Sequence, residues 1–392
     1  MGVRSRFALF QSGKCLTMDI QQETALRRKD DFFPELRRQV NDYFTSRNLS
    51  RYANGIFYFK GSVYCCAMVM GYAYLLIRGD RSIADLWAGY MAWLVSAGLL
   101  VITVAHDASH GAVSRSRFVN SLLAQSWNLL GMSRRIWEAK HHQSHHIHTN
   151  LPGRDVDIFE NPILRFSPAY AWRPWHRFQH IYAPAVYLLF GPYQVLVKDF
   201  QILFSVNHQL RDRYLSEEGF PVKLVLTKVT FLVLSLGIPI ANLSAPVVTI
   251  FLVQLSALSV TGFLILMILA VPHLNETGVW VGEVPEIRNQ RDWARVQVRT
   301  TVDSSPKSVI LAWLTGGLHT HLAHHLFPHI CHVHYHALTP IISNVLENRG
   351  IAYQRAPAWK LLISHFRALR MLGSRPAPAA VPAYAFIPER TA

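Results

Sequence analysis

Four long apolar stretches limit what this 392-residue chain can fold into. They lie at about Phe57–Ile77, Ile83–Ala105, Leu224–Asn242 and Pro246–Val271. A helix of about 20 apolar residues crosses the hydrocarbon layer of a bilayer, and it satisfies its own backbone polar groups while doing so. Short connections join the first stretch to the second and the third to the fourth. We therefore expect an all-α integral membrane protein with four transmembrane helices arranged in two hairpins.

The distribution of charge predicts how these hairpins are oriented. The formal charge is +15 although 51% of the residues are hydrophobic, because Lys and Arg lie between the apolar stretches. The short connection Ala241–Ala245 carries no charge, whereas the long segments and the N-terminal region are basic. By the positive-inside rule, the long segments and both termini are cytoplasmic. Two weaker stretches, Val119–Met132 and Ile181–Val197, are interrupted by polar residues or Pro and are expected at the interface.

Histidines form three tight clusters close to the apolar stretches. The clusters are His106 and His110; His142, His145 and His146, with His141 beside them; and His321, His324 and His325. Residues three or four apart share a helix face, so each cluster projects its imidazoles to one side. Imidazole is the commonest neutral metal ligand, and eight imidazoles are too many for one ion. The sequence therefore predicts a site for two metals on the cytoplasmic side. No role is assigned to the isolated His176, His180, His208 and His334.

The residues around the clusters resemble a known family. The runs HDASHGAVS, WEAKHHQSHHIHTN and GGLHTHLAHHLFPHICHVHY follow one another in order from about residue 50 to 352. In sequence, spacing and topology they resemble the three histidine boxes of the membrane fatty acid desaturases. The third run is most similar to acyl-lipid and front-end members of that family. Short histidine strings alone would not support this resemblance.

The resemblance implies a fold, a metal centre and a reaction. Four transmembrane helices would carry a cytosolic helical cap, with a histidine-rich di-iron site held between them. The enzyme would use O2 and two electrons from an external carrier to insert a double bond into the acyl chain of a fatty acid or lipid. Its substrate would be an acyl-lipid, an acyl-CoA or an acyl carrier, and zinc could replace iron in isolated protein. The implied ligands are His106, His110, His142, His145, His146, His273, His321, His324 and His325.

Several points about the site remain open. His142 repeats the spacing of the third cluster and is the expected ligand, with His141 as the alternative. His273 occupies the place of a further ligand of the family, but Leu269 stands where some members have an Asn, so Asn275 or Glu276 is considered as a helper. Trp137 and Trp313 either line an acyl tunnel or pack at the interface. The acids considered as acceptors for the ligands' second N–H are Asp107, Glu138, Asp155, Asp157 and Asp303, with Asp107 preferred.

The electrons must come from a partner. The chain has no HPGG haem motif, and its four cysteines, Cys15, Cys65, Cys66 and Cys331, form no iron–sulfur cluster motif. Ferredoxin or cytochrome b5 is the donor expected from the family, and nucleic-acid binding is not expected of a polytopic chain without a basic extramembrane domain. A hydroxylase acting on a lipid, carotenoid or sphingolipid chain is the alternative activity. A metal transporter is a more distant one, because it would place its ligands inside the spans.

Three regions are expected along the chain. Residues 1–50 form a cytosolic N-terminal segment with an amphipathic helix around Pro34–Arg47, in which Leu36, Val40 and Phe44 share one face. This helix either lies on the membrane or packs against the cap. Residues 51–373 form the membrane desaturase domain, and residues 374–392 form a Pro- and Ala-rich tail that is expected to be disordered.

Overall fold

The protein is mainly helical in the computed structural model, which describes residues 8–11, 14–17, 31–204, 219–280 and 284–375. The helices are Phe32–Ser46 (α1), Gly55–Arg78 (α2), Ile83–Leu100 (α3), His106–Ser109 (α4), Arg117–Ala124 (α5), Arg134–Lys140 (α6), His146–His148 (α7), Gln179–Leu188 (α8), Phe190–Tyr193 (α9), Asp199–Leu203 (α10), Phe220–Leu232 (α11), Ile238–Asn242 (α12), Val247–Ala270 (α13), Gln290–Thr300 (α14), Val309–Leu314 (α15), His321–Leu326 (α16), Tyr335–Asn348 (α17) and Ala358–Gly373 (α18). Most of the predicted tail lies outside the described residues.

Shorter elements complete the described chain. Four π-helical turns cover Val101–Ala105, His141–His145, Gln194–Lys198 and Val233–Gly237. Four 3-10 turns cover Gln125–Leu130, Val156–Ile158, Pro174–Phe178 and His332–His334. Strand β1 (Ala8–Gln11) pairs antiparallel with β2 (Lys14–Thr17), and β3 (Asp303–Ser304) pairs in parallel with β4 (Arg355–Ala356).

Four continuous helical segments of the described chain are long and apolar enough to cross a membrane. They are Gly55–Arg78, Ile83–Ser109, Phe220–Asn242 and Val247–Ala270. Their bounds lie within a few residues of the predicted stretches, and the all-α membrane fold with four spans is confirmed. The second span is the most buried of the four, whereas the others expose apolar side chains on their outer faces. The second span therefore lies at the centre of the bundle.

Polar side chains cap the first two spans and tie the two hairpins together. The Asn54 side chain accepts hydrogen bonds from the backbone N–H groups of Ile56 and Phe57 at the start of α2. The Ser82 side chain accepts a hydrogen bond from Asp85 N–H at the start of α3. This N–H lies in the first turn, where backbone donors have no partner within the helix. At the far end of the bundle, the Asp80 carboxylate of one hairpin turn accepts from Ser244 and Ala245 N–H of the other, at 2.8–3.0 Å. The two hairpins are thereby tied together.

Helices α1, α14, α16 and α17 lie outside the four spans and together form a helical cap. This cap has a hydrophobic core of its own. The apolar face of α1, including Phe33, Leu36, Val40 and Phe44, is buried against α14, α16 and α17. The amphipathic helix predicted near Pro34–Arg47 therefore packs on the cap, which is one of the two alternatives left open. Because α16 carries the third histidine cluster, the N-terminal helix supports the back of that cluster.

The two weaker apolar stretches form short, broken helices. The first becomes α5 with the 3-10 turn that follows it, and the second becomes α8 to α10 with an intervening π turn. Phe118 and Leu122 in α5 and Leu189 before α9 point outward, between 60 and 75% exposed. Their placement at the membrane interface remains a prediction.

Candidate metal centre

The three histidine clusters and His273 meet in one buried region between the spans and the cap. Each of two groups offers four imidazole nitrogens within 4.8 Å of one another. The first group is His106, His110, His141 and His324, and the second is His145, His273, His321 and His325. His146 lies between them, in a further group with His324 and His325. The arrangement fits two metal ions side by side.

Four parts of the fold bring these side chains together. His106 and His110 follow the π turn at the end of the second span, and His273 lies just beyond the last span. The middle cluster occupies a π turn between α6 and α7. The third cluster forms α16, whose first turn is held by the Asp303 carboxylate accepting from Leu322 N–H at 2.8 Å.

Hydrogen bonds fix the orientation of every ring in the second group. His273 Nδ1 donates to the Thr300 carbonyl at 3.0 Å, and His321 Nδ1 donates to the Leu318 carbonyl at 2.9 Å. His325 Nδ1 lies 2.8 Å from Gln297 Oε1, and His145 Nδ1 lies 3.0 Å from Asp155 Oδ2. Partners of this kind hold a metal-binding imidazole in one tautomer. Each ring therefore keeps its Nε2 free for a metal.

The Nε2 atoms of His273 and His325 face each other, and their protonation indicates whether a cation fits the second group. Oxygen acceptors take the Nδ1 protons of His273 and His325, so both neutral rings present an Nε2 lone pair. These two Nε2 atoms lie only 3.1 Å apart. Two lone pairs cannot hydrogen-bond to each other, whereas a cation between them satisfies both. The donor set consequently fits a metal ion.

The first group also contains buried imidazole nitrogens that lack a suitable hydrogen-bond partner. His110 Nε2 and His324 Nε2 are buried without a hydrogen-bond partner. His141 Nε2 lies 3.3 Å from His106 Nε2 and 3.0 Å from His146 Nε2. Buried polar atoms without partners are costly. A metal ion ligated by these nitrogens removes that cost.

The electrostatic surroundings keep most of these rings neutral. Burial, followed by the neighbouring imidazoles, holds the pKa values of His321, His324 and His325 well below the usual histidine value. Burial also lowers the pKa of His273 to about 3. His145 differs, because burial would lower its pKa but the Asp155 carboxylate raises it overall. Neutral imidazole is the form that binds metals.

The structure places His141, and not His142, in the four-histidine group. The α-helical spacing on which His142 was expected does not apply, because residues 141–145 form a π turn in which His146 N–H bonds to the His141 carbonyl. A π turn adds one residue, so the positions in register become i, i+4 and i+5. These positions are His141, His145 and His146. His142 lies beside His110, with 4.3 Å between ring centroids, and its buried Nε2 has no hydrogen-bond partner.

The five acids considered as hydrogen-bond acceptors for the histidine rings make different contacts. Asp155 holds His145, and Asp157 lies 3.7 Å from the same ring while pairing with Lys140. Asp107 lies 3.7 Å from His106 Nδ1 and binds His332 more closely. Glu138 pairs with Arg134, and Asp303 holds the start of α16.

The structure also shows the surroundings of Trp137, Trp313, Asn275 and Glu276, whose roles the sequence left open. Trp137 stacks on Trp127 and on His141, with ring centroids 3.9 and 4.4 Å apart, and so forms a wall beside the first group. Trp313 packs against Phe59 in the first span. Asn275 uses its side chain in its own turn, and Glu276 is exposed, so neither helps His273.

Sequence reasoning missed the buried residues that hold the rings. Gln297 accepts from His325 and Thr149 and donates to the His146 carbonyl. Tyr335 lies 3.4 Å from His324 Nδ1. Thr149 and Tyr335 belong to the quoted runs, in TN after the second cluster and HY after the third, and that was the available signal. Gln297 lies outside every run, so nothing in the sequence singled it out.

Comparison with known proteins agrees with this site. A family model described as fatty acid desaturase matches residues 85–357. The chain is 30% identical to the sn-1 linoleoyl-lipid 6-desaturase of Arthrospira platensis over 82% of this chain and 87% of the relative. It is 28% identical to the enzyme of the same name from Synechocystis, over 88% of this chain and 96% of the relative. It is 26% identical to an acyl-lipid (8-3)-desaturase of Physcomitrium patens, over 90% of this chain and 73% of the relative.

The matched region contains the third and fourth spans, nearly all of the second span and every histidine of the two groups. Similarity therefore extends over both the membrane part and the metal centre. The chain belongs to the fatty acid desaturase family and is an enzyme that introduces a double bond into an acyl chain.

Proposed function

We propose that this enzyme desaturates an acyl chain carried by a membrane lipid, using two iron ions, O2 and electrons from a separate carrier. The observation that carries the proposal is the pair of four-imidazole groups in one buried region, with lone pairs that face each other at 3.1 Å. The names of the three relatives specify chains carried by lipids, which supports a lipid substrate over an acyl-CoA.

The proposed ligands are His106, His110, His141, His145, His146, His273, His321, His324 and His325. His141 replaces His142, because the π turn directs His141 into the group. Neutral nitrogen ligands suit iron, and a bound pair of irons supplies the oxidation of an unactivated methylene by O2. Loss of two hydrogens from adjacent carbons, with two electrons and two protons from outside, yields the double bond and two waters.

The chain's own residues contribute orientation and enclosure. Gln297, Asp155 and the carbonyls of Leu318 and Thr300 hold the imidazoles in their ligating tautomers. The side chains of the third cluster are at most 3% exposed, which keeps bulk water away from them. Trp137 covers one side of the first group. Such fixed placement lets one C–C bond of the substrate meet the metals while other bonds are excluded.

We further propose the orientation, the regions and the donor. The charge distribution supports a cytoplasmic position of the metal centre and both termini. Residues 51–373 are proposed as the desaturase domain, with 1–50 and 374–392 flanking it. A ferredoxin or cytochrome b5 is proposed as donor, and the basic cytoplasmic segments suit an acidic carrier.

The test is expression in a host with an active ferredoxin or cytochrome b5 system, followed by mass spectrometry of each lipid class. A His145→Ala variant is the control, because it removes one proposed ligand. A new double bond in lipid-bound chains that the control lacks supports the proposal. A new hydroxyl would make the enzyme a hydroxylase, and a product confined to acyl-CoA would overturn the lipid substrate.

A further inference from the structure

Lys60 is a buried lysine inside the first membrane span. Its side chain is 3% exposed, and it lies in α2 between apolar neighbours. A lysine inside a span is costly and is usually retained for a purpose. Among the described residues, no carboxylate lies within ion-pair distance of Lys60. Its position therefore needs another explanation.

Two close partners account for the Lys60 side chain. Its Nζ donates to the Ala312 carbonyl at 3.0 Å and lies 3.0 Å from His332 Nε2. His332 is itself 5% exposed and fits against Gly317, where an added Cβ would come within 2.9 Å of His332 Cβ. The imidazole is thereby fixed between the first span and the segment that follows the third cluster.

His332 connects Lys60 to the first histidine cluster. Its Nδ1 lies 2.8 Å from Asp107 Oδ2, and its backbone N–H donates to the same oxygen at 2.9 Å. An imidazole that donates from Nδ1 accepts at Nε2, which is the atom facing Lys60. The hydrogen bond from Lys60 consequently selects the tautomer that binds Asp107.

Asp107 completes the connection to a metal-binding ring. With Oδ2 held by two donors from His332, Asp107 Oδ1 is left 3.7 Å from His106 Nδ1, an atom that is buried and makes no hydrogen bond of its own. A hydrogen-bonded carboxylate orients a metal-binding imidazole and strengthens it as a ligand. At 3.7 Å the Asp107 carboxylate favours the same orientation of His106 through its charge. All four side chains are at most 5% exposed, so water does not compete for these contacts.

We propose that Lys60 is a positioning residue for His106, acting through His332 and Asp107. The inference rests on the proposed metal site. Lys60 touches neither substrate nor metal, but it determines how firmly the first histidine cluster holds its ion. The first span is thereby coupled to the metal centre, although it contributes no ligand.

The test compares Lys60→Met with Lys228→Met, a matched change in another span. Lys228 is also buried, and it donates to the Gly131 and Val195 carbonyls and to Asp199, none of which belongs to either histidine group. Iron release from the purified enzymes into a chelator is followed over time. We expect Lys60→Met to release one of the two irons about 10–100-fold faster than wild type. Lys228→Met should lower the melting temperature and leave the release rate unchanged, and Lys60→Gln, which keeps a donor, should restore much of the retention.

Equal release from wild type and Lys60→Met, or equal acceleration in both lysine variants, would overturn the positioning role. Wild-type enzyme that holds fewer than two metal ions would instead refute the proposed di-iron function. The same comparison with Co²⁺, whose visible absorption reports imidazole coordination, tests the positioning without iron. If Lys60→Met does not fold, His332→Gln interrupts the same connection and gives the same readout.

Discussion

At His141, one extra residue in a turn decides which imidazole joins the first four-histidine group. The sequence places four histidines within six positions, 141–146, and α-helical spacing favours His142. The π turn instead aligns His141 with His145 and His146. Stacking of Trp137 on the His141 ring stabilises this arrangement.

Alanine substitutions of the two neighbours should separate them. We expect His141→Ala to bind about one metal ion per chain, because the first group loses a ligand and the second stays complete. His142→Ala should keep two. Inductively coupled plasma mass spectrometry of purified protein measures both. Loss of metal from His142→Ala alone would show that the α-helical register is the correct one.

Gln297 is a residue whose importance only its contacts reveal. It is fully buried and joins Thr149, His325 and the His146 backbone. Without its Oε1 atom, His325 loses the partner that fixes its tautomer. We expect Gln297→Leu to weaken metal binding about 10–100-fold.

The control for this prediction is another fully buried glutamine. Gln179 donates to the Leu369 carbonyl and has no contact with the histidine groups. Gln179→Leu should therefore destabilise the fold without changing metal affinity. Metal affinity measured by competition with a chelator distinguishes the two, and equal affinities for both variants would contradict the role of Gln297.

At the scale of elements, the glycines before α16 let the cap approach the second span. Gly316 has φ +56°, and a Cβ there would come within 2.6 Å of the Ile102 carbonyl oxygen. Ile102 lies in the π turn that precedes His106. The close approach of these two backbones brings the first and third clusters together.

Gly316→Ala should therefore cost more than an alanine at another left-handed glycine. Gly153 has φ +72° and open space where a Cβ would be. We expect Gly153→Ala to cost about 1–2 kcal/mol from backbone strain, and Gly316→Ala about 2–4 kcal/mol, since overpacking is added. Apparent melting temperatures in detergent measure the difference. Similar melting temperatures for the two variants would show that the approach of the backbones is not constrained.

The spans themselves were the most predictable elements. Length and continuous hydrophobicity fix a transmembrane helix with little help from the rest of the chain. The π turns were not predictable, because nothing in the residue pattern of these segments distinguishes a π turn from an α-helix. The α1 helix lies between these cases: its apolar face was evident from Leu36, Val40 and Phe44, but its partner was not.

At the scale of the whole molecule, the metal centre joins the spans to the cap. The proposed ligands come from the ends of the second and fourth spans, from the segment between the second and third spans, and from α16. Metal ions that bind only the folded state stabilise it by mass action. The stabilisation is about 2.7 kcal/mol when the free metal concentration is 100 times the dissociation constant.

Removing the metals should therefore lower the apparent melting temperature of the whole enzyme. Hydrogen exchange should rise first in α16 and in the segment of residues 134–148. Reloading with Zn²⁺ should restore the melting temperature but not desaturation, because imidazoles accept zinc and zinc has no redox chemistry. An unchanged melting temperature after complete stripping would mean that the fold does not depend on the metals.

The sequence by itself determined the membrane class, the four spans, the histidine clusters and the likeness to the desaturase family. These follow from apolar length and from local spacing, which are properties of short segments. Tertiary structure alone decided that His141, and not His142, lies in the first four-histidine group, that Gln297 holds His325, and that Lys60 in the first span contacts His332. Each of these depends on contacts between residues far apart in the chain, or on a turn whose geometry such contacts select. The local residue pattern does not show which distant residues will meet, so these contacts can be identified only in the folded structure.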